Sequence, residues 1–295
     1  ILGSIALERN DLAAAKEFLQ NGIALSRRGG LMDDVILGLS YLARLHAYQG
    51  RVSNAFETAQ ELNTIIQGFG VERMSMLAAA YTANLQLYTG QEGAAAQWAA
   101  KYQAVRADQP HEFADLTLVR VLLKTGDREN VPSLLNALLK RGQAQGRVRT
   151  CIEVMILMAL FHRAEKDIPA AVDWLSQALG LAAAEYFIRI FMDEGEALLD
   201  LLPRARQAAP ELVDAILGSL QAESGKSPLD QLPEPLSEQE LRVLSLIVAG
   251  KTNREIADEL FISVGTAKWH VHNILQKLGV SNRSQAIARA RELGF

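Results

Sequence analysis

At 295 residues the chain is long enough for two domains, each able to bury its own core. Hydrophobic residues at 49% and charged residues at 22% are ordinary soluble values, and a formal net charge of −4 argues against a general polyanion binder. The single cysteine, Cys151, excludes a disulfide framework and a cysteine-rich zinc site, and no run nears the roughly 20 apolar residues of a membrane span. A reduced, cytoplasmic setting away from membranes fits these limits. Aromatics are only 6% while alanine and leucine abound, which favours helix packed on helix, an all-α class.

The chain opens on Ile1-Leu2-Gly3-Ser4-Ile5-Ala6-Leu7-Glu8, already an amphipathic helix rather than a signal peptide. It has no initiator methionine, so a fragment of something larger is expected. From there a repeat runs through the first two thirds. A turn residue is followed five positions later by a small residue opening a second helix: Asn10/Ala15, Gly50/Ala55, Gly90/Ala95, Gly126/Val131 and Lys166/Ala171. The steps are 40, 40, 36 and 40 residues. A fixed period of this length means stacked helical hairpins, each burying a face on the next. It loosely resembles the tetratricopeptide repeat, whose period is about 34 residues. Residues 1–222 are therefore expected to form a helical-repeat solenoid that serves as sensor or scaffold.

Phe18, Trp98 and Trp174 recur three residues after the small residue, a register that inter-repeat packing explains better than a ligand cage. Cys151 and His162 lie on an apolar helix and read as core or flank. His46 and His111 have no partners at metal-ligand spacing. No nucleophile, base and orienting acid can be assembled, so no catalytic residue, metal or cofactor is expected in this chain. Residues 223–235 contain Ser224-Gly225-Lys226-Ser227-Pro228 and Pro233-Glu234-Pro235, a helix-breaking linker. Gly225-Lys226-Ser227 mimics the end of a phosphate-binding loop, but Leu220 stands where that motif needs its first glycine.

The segment 236–295 reads as four short helices. Ser237 with Glu240 makes a capping box, and Gly250 supplies a C-terminal cap. Thr252 or Asn253 caps the next helix, whose Ile256, Ala257 and Leu260 face inward. Phe261-Ile262 forms a turn, and Ser263 caps a third helix that buries Ala267, Val271, Ile274, Leu275 and Leu278 before Gly279 ends it. Asn282, with Gln285 three later, opens a last helix carrying Ala286, Ile287, Ala290 and Leu293.

With that inward stripe fixed, helical spacing turns Gly265, Lys268, Trp269, His272 and Gln276 outward. A helix with such a face is prepared for a DNA major groove. Lys268 and His272 can donate to guanine O6 and N7, and Trp269 offers apolar contact to a thymine methyl or the sugar edge. Lys268, Trp269, His272 and Gln276 are the candidate base readers. Val264 and Thr266, at the helix start, suit a phosphate. Asn253, Arg254, Lys277 and Arg283 are candidate phosphate contacts from flanking elements. From Ser263 onward five cations face one anion, Glu292, so the positive charge of an acidic chain is concentrated here.

Leu236-Ser237-x-x-Glu240, Asn253-Arg254-Glu255-Ile256-Ala257, Thr266 through Ile274 and Leu278-Gly279-Val280-x-Asn282-Arg283 resemble the LuxR-type DNA-binding domain, almost continuously from Leu236 to Phe295. Gln239 and Ala267 depart from residues frequent in that family, away from the groove face. The resemblance implies that Lys268, Trp269 and His272 face bases and that the last helix, through Ile287 and Ala290, supports dimerisation. Phe187-Ile188-Arg189-Ile190-Phe191-Met192-Asp193-Glu194-Gly195 is similar to the segment that closes the helical domain of large MalT-like regulators. It implies double-stranded DNA and RNA polymerase as partners, a small-molecule inducer on the repeats, and self-association on DNA. It also implies an ATPase domain ahead of the repeats, and no phosphate-binding loop for one occurs here. The expected function is transcription regulation, with activation favoured. The alternative is an adaptor whose repeats capture partner proteins while the terminal domain serves assembly.

Overall fold

The structure, a computed structural model, describes residues 1–68, 72–106, 110–224, 236–260 and 262–292, and every regular element among them is helical. The expected linker, Phe261 and Leu293 lie outside or largely outside the described residues. The chain divides into two compact units, Ile1–Gln221 and Ala222–Phe295.

The first unit holds five hairpins among the described residues. They are α1 (Leu2–Glu8) with α2 (Leu12–Gly29), α3 (Met32–Tyr48) with α4 (Val52–Gly68), α5 (Glu72–Tyr88) with α6 (Glu92–Val105), α7 (Glu112–Thr125) with α8 (Val131–Ala144), and α9 (Val148–Ala164) with α10 (Ile168–Ala183). Each helix packs on the next in sequence, and the odd-numbered helices also pack on one another in order, from α1 on α3 to α7 on α9. The odd helices therefore make one continuous layer against which the even helices pack in turn, the arrangement of a solenoid.

The turn inside each hairpin shows why the spacing recurs. Asn10, Gly50, Gly90, Gly126 and Lys166 have φ of 61°, 69°, 76°, 84° and 64°. A left-handed residue reverses the chain just past the helix and returns its amide to the last turn. Thus Asn10 N–H donates to Leu7 O at 2.9 Å and Asp11 N–H to Ala6 O at 2.9 Å. Asp11 and Asp167 then cap the following helices by accepting from the Ala14 and Ala170 amides. Five residues on, Ala15, Ala55, Ala95, Val131 and Ala171 are all wholly buried. A small side chain there lets the two helices of a hairpin close up tightly. Gly30 and Gly146, at φ 70° and 64°, make left-handed turns between hairpins, a second set that the repeat spacing did not reveal.

The in-register aromatics behave unequally. Trp98 is buried and stacked on Tyr102, with ring centroids 5.2 Å apart, and Trp174 is half-buried against the same core. Phe18 departs from the packing expectation, being exposed, because α2 packs through Ala15, Leu19 and Ile23 and Phe18 falls at the edge of that stripe. Cys151 is buried, and His162 is half-buried with Nδ1 3.6 Å from Asp167. His46 Nδ1 lies 3.3 Å from Thr58 Oγ1, and burial pushes its pKa down. Among the described residues no group of three or more His, Cys, Asp or Glu could hold a metal ion. Nor is any described helix long and apolar enough to cross a membrane.

After α10 the repeat stops. The chain crosses the odd-helix layer as a strap, with α11 (Arg189–Met192) and a 3-10 turn (Gly195–Leu198), then continues to α12 (Pro210–Ser224). The wholly buried Arg189 donates to Asn10 Oδ1 at 3.2 Å and Tyr88 Oη at 3.1 Å, pairs with Asp193 at 3.1 Å, and sets its guanidinium 3.7 Å over the Tyr48 ring. Asp193 also takes Arg44 at 2.5 Å and the Tyr48 hydroxyl at 3.0 Å. Glu194 takes Arg120, which also pairs with Glu153. These are the charges that a buried segment needs to cancel its own.

The turn geometry makes a stability test. Nothing lies within 4 Å of a Cβ built on Gly126, so Gly126→Ala carries only the conformational penalty of φ +84°. Urea unfolding is expected to show a loss of about 1–2 kcal/mol. Gly22→Ala, in the exposed interior of α2 and equally unobstructed, is expected to gain about 0.5–1 kcal/mol.

Candidate nucleic-acid interface

The second unit builds its own core from four helices, α13 (Glu238–Val248), α14 (Asn253–Leu260), α15 (Val264–Lys277) and α16 (Arg283–Glu292). Leu244 and Ile247 of α13, Ile256 of α14, Ala267 and Ile274 of α15 and Ala286 of α16 are wholly buried in one cluster. Each helix start is fixed by its own side chains. Ser237 Oγ accepts from the Glu240 amide while Glu240 accepts from the Ser237 amide, a complete capping box. Thr252 and Glu255 repeat the exchange before α14, so Thr252 rather than Asn253 is the cap. Ser263 accepts from the Thr266 amide at 3.0 Å, and Asn282 from the Gln285 amide at 3.0 Å. Gly250 and Gly279, at φ 79° and 67°, end α13 and α15.

α15 lies against α13, α14 and α16 through Ala267, Val271 and Ile274, with Leu278 just beyond its end. Helical geometry then decides the other face. Gly265, Lys268, Trp269, His272 and Gln276 are all exposed, and Trp269 keeps 59% of its surface in water. The Trp269 and His270 rings meet edge-on at 5.0 Å, and His270 Nδ1 is buried with no hydrogen-bond partner among the described residues. An open indole offers a large apolar ring with a polar N–H, the kind of side chain enriched at interfaces. Val264 and Thr266 are exposed at the helix start, where the first-turn amides have no carbonyl four residues back. Arg254 stands exposed on α14.

The other flanking candidates sit differently. Asn253 is half-buried, with Oδ1 buried and unpartnered among the described residues. The Lys277 ammonium pairs with Glu240 at 2.9 Å, and the Arg283 guanidinium donates to the Lys251 carbonyl. Lys277 thus ties the end of α15 to the start of α13, and Arg283 ties the start of α16 to the α13–α14 turn. Sequence spacing could not show either tie, because the partners lie 37 and 32 residues away. On α16, Ala290 is wholly buried in the unit's own core, which corrects its expected place on a dimer surface: its small side chain fills space inside the module. Ile287 is half-buried against the same core.

The comparisons with known proteins divide the chain along the same lines. The family described as "MalT-like TPR region" matches residues 1–208, and the family described as "Bacterial regulatory proteins, luxR family" matches residues 234–290. The chain belongs to the family with a MalT-like TPR region, and its second unit is similar to the luxR family. It is 27% identical over 284 residues to the HTH-type transcriptional regulator MalT of Serratia proteamaculans, which covers 86% of this chain and 31% of that protein. Against MalT of Yersinia pestis it is 29% identical over 234 residues, 70% of this chain and 26% of that one. The transcriptional regulatory protein LiaR of Bacillus subtilis is 42% identical over 94 residues, 32% of this chain and 44% of LiaR. The chain thus spans about a third or less of the MalT proteins it matches. No solved structure matches it.

Glu240 makes the module's acid test. Burial alone would raise its carboxyl, but the Lys277 ammonium and the Ser237 amide and hydroxyl outweigh that and hold it below the usual carboxylate range. A lowered folded pKa gives stability that is complete above the unfolded carboxyl's titration near about 4.3 and lost as pH falls through the folded value. Glu240→Ala is expected to cost about 1–3 kcal/mol at neutral pH. Thermal unfolding of residues 236–295 between pH 7 and 3 should then show a flatter acid limb in the variant than in the parent.

Proposed function

We propose that the chain regulates transcription by placing α15 in the DNA major groove, under control of the helical-repeat unit. The observation that carries this reading is the exposed edge of Lys268, Trp269, His272 and Gln276, on a helix whose opposite stripe is locked into a separate core. Lys268 and His272 donate to base edges, Trp269 covers a thymine methyl or the sugar edge, and Gln276 extends the reading surface. Gly265 keeps the helix start low against the backbone. Thr266, the amides at Val264 and Gly265, and exposed Arg254 supply phosphate contacts.

The division of labour among the cations follows from their pairing. Arg254, exposed, neutralises a phosphate. Lys277 and Arg283 act chiefly by holding α15 and α16 in place, and Asn253, half-buried at the start of α14, adds at most one polar contact beside Arg254. Two modules on half-sites about ten base pairs apart would lie on one face of the duplex. Self-association through the repeat unit would raise their joint occupancy without any new DNA contact. The regulators named MalT and LiaR support DNA binding as the activity. An inducer on the repeats, contact with RNA polymerase, and an ATPase domain ahead of the repeats in the intact protein are parts of the same proposal. A pure adaptor role is disfavoured because it leaves the exposed lysine–tryptophan–histidine edge without an occupant.

Binding to selected and random duplexes across a salt series separates these roles. Lys268→Ala and His272→Ala should each reduce discrimination between the two by about 1–3 kcal/mol. Arg254→Ala should weaken both equally and lower the salt slope by about one. Lys277→Ala should lower the module's melting temperature with little change in slope. Equal loss on both duplexes for Lys268→Ala and His272→Ala would remove them from base reading.

A further inference from the structure

The apolar core of the repeat unit falls into several clusters, two small ones lying among α2 to α5. Ala6, Leu7, Ala15, Leu19, Leu45 and Tyr48, from α1 to α3, form one cluster, and a much larger one runs from α5 to α12. The strap belongs to the larger cluster through Ile190, Phe191 and Met192. Toward α1 and α3 no strap residue joins the apolar cluster, and the contacts are hydrogen bonds, ion pairs and the Arg189 guanidinium over the Tyr48 ring. Ile188 N–H donates to Glu8 O at 2.8 Å, and Arg9 Nε donates to Glu185 O at 3.2 Å. Arg189 reaches Asn10, while Arg44 and Tyr48 reach Asp193. Next to them Arg149 of α9 pairs with Glu8 at 2.7 Å and Glu153 at 2.7 Å. Elements more than 140 residues apart in sequence are thereby joined across a seam of charges and backbone groups.

We propose that this seam is a built-in opening: α1, α2 and α3, which share one apolar cluster, part from the strap as a unit, separating the two ends of the helical array and uncovering Arg44 and Arg149 on the odd-helix layer. The physical ground is the contrast between the two sides of the strap. Its apolar side exchanges water for packed side chains, and nothing in solution replaces that contact. Its polar side exchanges protein partners for water and ions, so parting it leaves charges that water can solvate. Glu8 Oε2, buried and without a hydrogen-bond partner among the described residues, gains a partner when the seam opens. The array bends where α3 to α5 continue the stack, while the strap stays with the larger core.

Hydrogen exchange of the full chain tests this amide by amide. In the unmodified protein, Ile188 and the amides of α1 should exchange together, and at least tenfold faster than those of α9. Asp193→Asn and Arg44→Gln, one on each side of the seam, should each speed that shared exchange at least a further tenfold. The double variant should go no faster than the quicker single one, and α7–α10 should change less than threefold. Asp193→Glu, which keeps the charge, should stay within threefold of the parent. Exchange of Ile188 and α1 at the α9 rate would overturn the proposal, as would acceleration spread evenly over α1–α10 in both single variants.

Discussion

Burial of one stripe of α15 is the constraint on which the DNA-reading account depends. Ala267, Val271 and Ile274 lie in a core shared by all four helices of the second unit, and Leu278 secures its end. Because successive residues turn by a fixed angle, that burial leaves no freedom about which side chains face out. A slip of one residue would carry Trp269 toward the core and Ala267 toward water. The capping exchanges at Ser237, Thr252, Ser263 and Asn282 fix where each helix begins, and so fix the register of the stripe. The Glu240–Lys277 and Arg283–Lys251 ties then hold the helices against one another. The groove face is a by-product of packing, prepared before any partner arrives.

The repeat unit solves a different problem. Each hairpin is closed by one left-handed residue and one small buried residue, a local device that repeats without reference to distant sequence. The strap is the opposite: a four-residue helix has almost no stability of its own, so residues 185–195 are ordered by tertiary contacts alone. Burial would raise the Asp193 carboxyl, yet Arg44 and Arg189 hold it below its ordinary range, and Arg120 and Arg149 do the same for Glu153. The two carboxylates stay charged in a setting that would otherwise neutralise them. A regular array thus acquires one irregular element that joins its first and last hairpins.

Much of this was legible in the sequence because the signals are local. Asn10 and Lys166 could be placed in the same role as three glycines from spacing alone, and both adopt the left-handed conformation. Ser237 with Glu240 and Ser263 announce their helices within three residues. What the sequence did not disclose depends on distance. Arg189 reads as one cation in an apolar stretch until Asn10, Tyr48, Tyr88 and Asp193 surround it. The pairing of Lys277 with Glu240, from another helix, and the burial of Ala290 in the shared core likewise depend on residues distant in sequence. Phe18 misled for the reverse reason: it shares a register with Trp98 but not the stripe that register serves. The family resemblance carried the assignment of base-facing residues, which spacing alone restricts only to a face.

The most direct test of the central claim is the map of backbone amide chemical shifts when residues 236–295 bind a selected duplex. The account predicts the largest changes at 263–276, concentrated at Thr266, Lys268, Trp269 and His272, with smaller ones at Arg254. Changes centred on α16, with those positions of α15 unmoved, would contradict it.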